Sequence, residues 1–337
     1  MSGKTKIKIA IPVGDPAGIG PEICLKAALD PAVRAACDPI LVSDPDVLAR
    51  HAAACGIRPD LQVVERVGGA DWSRNHLNVL ACRQPDGDKI PIGKVSAAAG
   101  RASIAFCAAA VKTAMAHEVD AVVAAPQNET SIAQAGIKFD GHPSFVARQT
   151  GSDENAVYMM LCFGDAKIAH ATLHQSVRDA IAAITRERVV SVIEETARTL
   201  RRMGIEKPRI AVSGINPHAG EGGLFGREEI EIVKPAIDTV VAGGLSVAGP
   251  FGADTMFHMP GFDAFVVMLH DQGHIAAKLL AQHAAAALTI GTPILFSSVA
   301  HGSAHDIAGK GIADPAAMIE AILRLSKAPC AGKSAAA

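Results

Sequence analysis

The sequence predicts an α/β fold of two domains with largely parallel sheets. Short β-branched runs alternate with longer amphipathic runs along the whole chain. The strand runs are continuously apolar, as expected where helices cover both faces of a parallel sheet. The length of 337 residues exceeds the ~100–200 of one typical domain. No internal repeat is visible.

The strand candidates, in order, are 6–13 (KIKIAIPV), 39–43 (PILVS), 61–65 (LQVVE), 120–126 (DAVVAAP), 167–173 (KIAHATL), 209–214 (RIAVSG), 263–269 (DAFVVML) and 294–299 (ILFSSV). Helix 21–29 starts at Pro21, where a missing N–H costs nothing. Helix 97–117 is capped by Ser96, 186–203 ends at Gly204, 227–242 ends at Gly243–Gly244, and 314–326 opens with Asp314–Pro315. The run EEIE at 228–231 reads as a solvated first turn that complements the helix dipole. The tail 328–337 is small and polar and is expected to fray.

Charge narrows the function. Lys and Arg total 32 against 34 Asp and Glu, a net charge of −2, without the basic footprint of nucleic-acid or anionic-membrane binding. A small-molecule substrate is expected. Seven cysteines form no CxxC pair, which favours reduced thiols and a cytoplasmic protein. The N-terminal segment has no cleavage-type site, and no window reaches the ~18 apolar residues of a membrane span.

Three histidines directly follow expected strands: His174, His218 in GINPHAGEGG, and His270 in LHDQGH. Ligands of open α/β sheets bind at the carboxyl ends of strands, so three imidazoles delivered there suit one catalytic divalent cation. Each histidine alone is better explained as a satisfied polar residue at a loop start, and it is their shared position that weakens that explanation. His270 and His274 share one face if the segment is helical, while His170 and His174 share one side if theirs is a strand. Asp254, Asp271 and Lys278 stand in or beside the same loops; a carboxylate or lysine there suits removal of a hydroxyl proton. GDPAGIGPE (14–22) is a Gly-rich turn after the first strand but is not GxGxxG, so a standard Rossmann domain is not supported. The loops 214–226 and 301–315 offer free backbone N–H groups to a cofactor.

Together GDPAGIGPE, GHPSF (141–145), GINPHAGEGGLFG, GPFGADTMF, MLHDQGHIAAK (268–278) and SSVAHGSAHDIAGKGIADP (297–315) resemble the 4-hydroxythreonine-4-phosphate dehydrogenase family across roughly residues 7–325. The resemblance implies a fold like the isocitrate and isopropylmalate dehydrogenases, a homodimer, and an active site in the interdomain cleft near the dimer interface. The implied division is 1–126 with 292–330 for a cofactor-side domain, 127–291 for a domain carrying metal, substrate and dimer contacts, and 331–337 as tail. By the same resemblance His174, His218 and His270 match the divalent-metal ligands, and His142 and Lys278 match substrate contacts. Gly302, Asp306, Gly309 and Gly311 are expected at the cofactor, NAD rather than NADP because Lys310 is the one basic residue in 301–315. The metal is expected to be Zn, with Mg, Co, Ni and Mn as alternatives, and the general base stays open between Lys278 and Asp271.

The departures from the biosynthetic pattern bear on the substrate. Pro143 stands in place of a Thr, Ala287 in place of an Asn and Phe296 in place of an Arg, while Glu129-Thr130 replace a Lys common in that branch. Losing a guanidinium removes a bidentate partner for an anion, and Phe makes the pocket locally apolar. This set resembles the aromatic-degradation branch, similar to terephthalate cis-dihydrodiol dehydrogenase. It implies oxidative decarboxylation of a carboxylated aromatic cis-dihydrodiol to a catechol-type acid, with Arg148 or Arg178 as candidates for a ring carboxylate. The alternatives are a 4-hydroxythreonine-4-phosphate or related sugar-acid phosphate dehydrogenase, and, from another class, a silent binding protein that keeps the fold.

Overall fold

The computed structural model describes residues 6–73, 76–281 and 286–327. The tail and Cys330 lie outside the described residues. The strands are β1 (Ile7–Pro12), β2 (Cys37–Ser43), β3 (Leu61–Val64), β4 (Leu77–Ala81), β5 (Ala121–Ala124), β6 (Tyr158–Phe163), β7 (Ala166–His170), β8 (Arg209–Ser213), β9 (Ser246–Phe251), β10 (Ala264–Val267), β11 (Ala286–Ile290) and β12 (Leu295–Val299). Each expected strand forms. The four that sequence reading missed have weak local signals: β4 and β11 are interrupted by Asn78 and by alanines, β6 has no β-branched residue, and β9 contains Gly249 and Pro250.

The helices are α1 (Gly20–Leu29), α2 (Pro31–Ala36), α3 (Pro45–Ala54), α4 (Ala97–Met115), α5 (Glu129–Gln134), α6 (His142–Thr150), α7 (Val177–Ala183), α8 (Arg186–Arg202), α9 (Lys234–Ala242), α10 (His270–Ala281) and α11 (Ala316–Leu325). Caps follow the sequence: Ser96 accepts from the N–H of Ala99, and Asp30 and Asp44 cap α2 and α3. The expected helix 227–242 begins instead as a π-helical turn, Glu229–Val233, that runs into α9. None of the described helices is long and apolar enough to cross a membrane.

Two compact units divide the chain, residues 1–150 with 293–337, and 151–292. Residues 127–150, grouped by sequence reading with the second domain, pack with the first. The first unit carries strands in the order β3-β4-β2-β1-β5-β12, each neighbouring pair parallel. Its core includes Ile40, Val42, Phe106-adjacent Cys107, Val122 and Phe296. The second unit runs β11-β6-β7-β10-β8-β9, with β11/β6 and β6/β7 antiparallel and the remainder parallel. Its core joins Leu161, Ile168, Ala211, Phe265 and Val267. The parallel block β7-β10-β8 places three chain crossings side by side, with their carboxyl ends at one edge.

Candidate active site

His174, His270 and His218 leave the carboxyl ends of β7, β10 and β8, which are neighbours in one parallel block. Strand spacing of ~4.8 Å brings such loop starts within reach of one another. The His174 and His270 rings lie 5.6 Å apart. His270 Nδ1 is 2.7 Å from the Asp271 carboxylate and donates to it, which leaves Nε2 as the free donor atom. Asp271 therefore orients an imidazole. Lys278, two turns further along α10, is exposed, as is Asp254.

Two further imidazoles stand behind this pair. His274 stacks on His270 at 3.7 Å and 10°, and His170 lies 4.6 Å from His274. β7 ends at His170, so His170 and His174 do not share a strand face as expected: His170 is fully buried in the sheet and His174 is exposed beyond it. Burial, reinforced by the neighbouring His274, pulls His170 down to about 3; burial and the nearby His270 pull His274 down to about 4. Both are neutral at pH 7. His170 Nε2 is buried without a hydrogen-bond partner.

His218 is exposed on a loop whose backbone is left-handed from His218 to Gly222. Asp254 Oδ1 and the His218 Cα both approach Gly252, where a Cβ would lie 2.7 and 3.8 Å from them. In the acidic run behind this loop Glu231 is exposed as expected, but Glu229 is not the solvated residue expected. Glu229 is 3% exposed and accepts from the backbone N–H groups of Ile215 and Asn216, both at 2.7 Å. Burial raises its pKa, but the bonds from the Asn216 side chain and from these amides outweigh it and hold the carboxyl below its ordinary value. Among the described residues no group of three His, Cys, Asp or Glu side chains is already gathered around a metal-sized site. In donor chemistry the set fits a divalent cation: one imidazole is oriented by a carboxylate, a second faces it, and a third starts from the adjoining strand end.

In the first unit His142 opens α6, with Pro143 following it, and its ring sits 5.6 Å from Phe139 and 5.4 Å from Phe296. Burial pulls His142 down to about 4, and its Nε2 has no partner. Phe296, expected at the substrate, is fully buried in the core and serves as the wall behind His142. Gln127, overlooked in the sequence, has both amide atoms buried and unpartnered. Its signal was an uncharged amide directly after an apolar strand. Ala287 lies in the second unit, half-buried on β11 opposite Leu161. Arg148 is engaged by Asp140 at 2.6 Å, and Arg178 is exposed on α7.

The expected cofactor loop is tied to the first helix. His305 Nε2 donates to the buried Asp15 at 3.1 Å, Ser303 accepts from the N–H of Ile19, and buried Glu22 accepts from Lys26 and from the N–H of Ala313. Gly309 and Gly311 adopt φ 73° and 74° and pack against Ile92 and Cys55, so their glycines answer to backbone shape. Gly302 faces open space and Asp306 is exposed, both accessible to a ligand.

Residues 35–325 match the model of the family described as pyridoxal phosphate biosynthetic protein PdxA. The chain belongs to the PdxA family. One PdxA relative, the 1,2-dihydroxy-3,5-cyclohexadiene-1,4-dicarboxylate dehydrogenase of Comamonas sp, is 41% identical over 96% of this chain and 98% of its own. The crystal structure of a 4-hydroxythreonine-4-phosphate dehydrogenase from Burkholderia phymatum superposes with a TM-score of 0.87 at 37% identity, covering 96% and 98% of the two chains. A terephthalate 1,2-cis-dihydrodiol dehydrogenase from Burkholderia xenovorans LB400 superposes with a TM-score of 0.73 at 40% identity, covering 95% and 98%. These PdxA relatives are dehydrogenases, on the same mixed, mostly parallel α/β scaffold.

Proposed function

We propose that this protein is an NAD-dependent, divalent-metal-dependent dehydrogenase that oxidatively decarboxylates a carboxylated aromatic cis-dihydrodiol of the terephthalate 1,2-cis-dihydrodiol type to a catechol-type acid. The observation that carries the substrate is the loss of an anion partner at position 296: a buried phenyl ring, packed 5.4 Å behind His142, stands where the phosphate-using relatives are expected to hold a guanidinium. The 41% identity to the Comamonas enzyme supports the same reading.

His174, His218 and His270 would hold the metal, Zn in the first place with Mg, Co, Ni and Mn as alternatives. When bound, the cation favours loss of the alcohol proton and the nicotinamide accepts the hydride. Asp271 is engaged by His270, and of the remaining candidates, Asp254 and Lys278, the reading gives the hydroxyl proton to Lys278 on the same helix, acting as the neutral amine and leaving as the ammonium. Oxidation of the ring CH–OH gives a β-keto acid; its C–C bond to the carboxylate breaks, CO₂ leaves, and the electron pair moves to the ketone oxygen, which is protonated as the ring becomes aromatic. His142 and Pro143 border the substrate in this reading. Gly302 and Asp306 are the accessible cofactor contacts. A homodimer is proposed as well, for which α10 offers Ile275, Leu279 and Leu280, 56, 75 and 66% exposed. The thiols of Cys24, Cys37 and Cys107 are buried and free, in keeping with a reducing, cytoplasmic setting.

The second reading, a 4-hydroxythreonine-4-phosphate dehydrogenase, is favoured by the 0.87 superposition on the Burkholderia phymatum structure. The test follows NADH formation with added Zn²⁺ or Mg²⁺, offering the terephthalate cis-dihydrodiol and 4-phosphohydroxythreonine separately. Turnover of the diol alone is expected; turnover of the phosphate alone overturns the substrate.

A further inference from the structure

The turn that carries His218 is held in a conformation that its own residues disfavour. His218, Ala219, Gly220, Glu221 and Gly222 follow one another at φ 52, 53, 78, 43 and 67°. Glycine accepts such angles freely, whereas His218, Ala219 and Glu221 do not. A run of this kind persists where surrounding structure over-determines it.

Glu229 supplies that structure. It sits in the π-helical turn that follows the loop, 3% exposed. Oε1 accepts from Ile215 N–H and Asn216 N–H at 2.7 Å each, and Oε2 accepts from Asn216 Nδ2 at 3.0 Å. Asn216 Nδ2 also donates to Glu228 at 2.6 Å. The carboxylate is enclosed by the chain before the turn and by its middle: a Cβ at Gly214 would lie 2.9 Å from Oε1, and one at Gly220 would lie 2.6 Å from Oε2. The acid is thus one of the groups that leave no room for a side chain at either glycine, beside Ala219 at Gly214 and the positive φ of Gly220.

We propose that Glu229 is a positioning residue, which fixes the left-handed turn and so presents the His218 imidazole to the metal. The proposal rests on the reading of His218 as a ligand given under Proposed function. Glu229 touches neither substrate nor cation in this role. It acts through Asn216 and the backbone, as outer partners of metal ligands do.

The test measures Zn²⁺ affinity of the full chain by competition with a chromophoric chelator, together with amide hydrogen exchange across 214–226 in metal-free protein. Glu229→Ala is expected to weaken Zn²⁺ binding about 10- to 100-fold and to speed exchange at Ile215 and Asn216. Glu229→Gln keeps one carbonyl acceptor and is expected to recover most of the affinity; it also carries the test if the alanine variant does not fold. A merely structural Glu229 would lower the melting temperature and leave the Zn²⁺ constant unchanged. Unchanged Zn²⁺ affinity in both Glu229 variants, with weakened binding in His218→Ala, overturns the positioning role alone. Unchanged affinity in His218→Ala overturns the ligand reading itself.

Discussion

Gly273 lies directly against the His170 imidazole. A Cβ at 273 would overlap His170 Nε2 and approach His170 Cε1 to 2.9 Å and Ile168 Cγ2 to 2.8 Å. The glycine between His270 and His274 is therefore the room that a buried histidine of the adjoining strand requires, and it lets the three rings line up.

Gly273→Ala is expected to destabilise the protein by about 1–3 kcal/mol through overpacking. Urea unfolding measures it. In a His170→Ala background the same substitution should cost less by more than ~0.5 kcal/mol, because the ring it strikes is gone. Additive losses would show that the clash is not with His170.

Stability is expected to fall between pH 6.5 and about 3. His170 is neutral in the folded chain down to about 3, while in the unfolded chain it titrates near its model value of 6.5. Below 6.5 the unfolded state binds the extra proton, so stability is complete above that pH and is lost as pH falls toward the folded pKa. His170→Leu should reduce the slope of unfolding free energy against pH by up to ~1.4 kcal/mol per unit in this window. An unchanged slope in denaturant titrations of metal-free protein would contradict the assignment.

Asp271→Ala removes the acceptor that fixes the His270 ring at 2.7 Å. Divalent-metal affinity should weaken about 10- to 100-fold while the melting temperature of metal-free protein changes little, since Asp271 is exposed. Calorimetric Zn²⁺ titration decides it, and wild-type affinity would leave Asp271 free to act as the base.

Phe296→Ala should cost about 3–5 kcal/mol, because a fully buried ring is lost from the core of the first unit. Chemical unfolding gives the value. A cost below ~1 kcal/mol would contradict the placement of Phe296 in the core.

Much of the fold was legible because its signals are local. Val, Ile and Leu runs mark eight of the strands, and Pro21, Ser96 and Gly204 mark helix ends through backbone sterics and capping. The missing strands were those whose stability comes from neighbours: β6 is a run of Met, Leu and aromatic residues equally suited to a helix, and it becomes a strand by pairing with β7 and β11. The site divides the same way. His174, His218 and His270 announced themselves by following strands. Glu229 did not, because an acidic residue in a helical first turn is normally satisfied by water, and the loop that replaces the water is far more a matter of folding than of composition.

The sequence by itself determined the alternating α/β pattern, the three histidine-bearing strand ends and the motifs of the PdxA family, since each depends on residues adjacent along the chain. Tertiary structure decided which of these groups meet. It set His174 beside His270, buried His170 against Gly273, withdrew Phe296 into the core behind His142, and turned Glu229 from an expected surface charge into the anchor of the His218 loop. The physical reason is burial: whether a polar side chain meets water or another group depends on which segments pack around it, and strand order in the sheet fixes that.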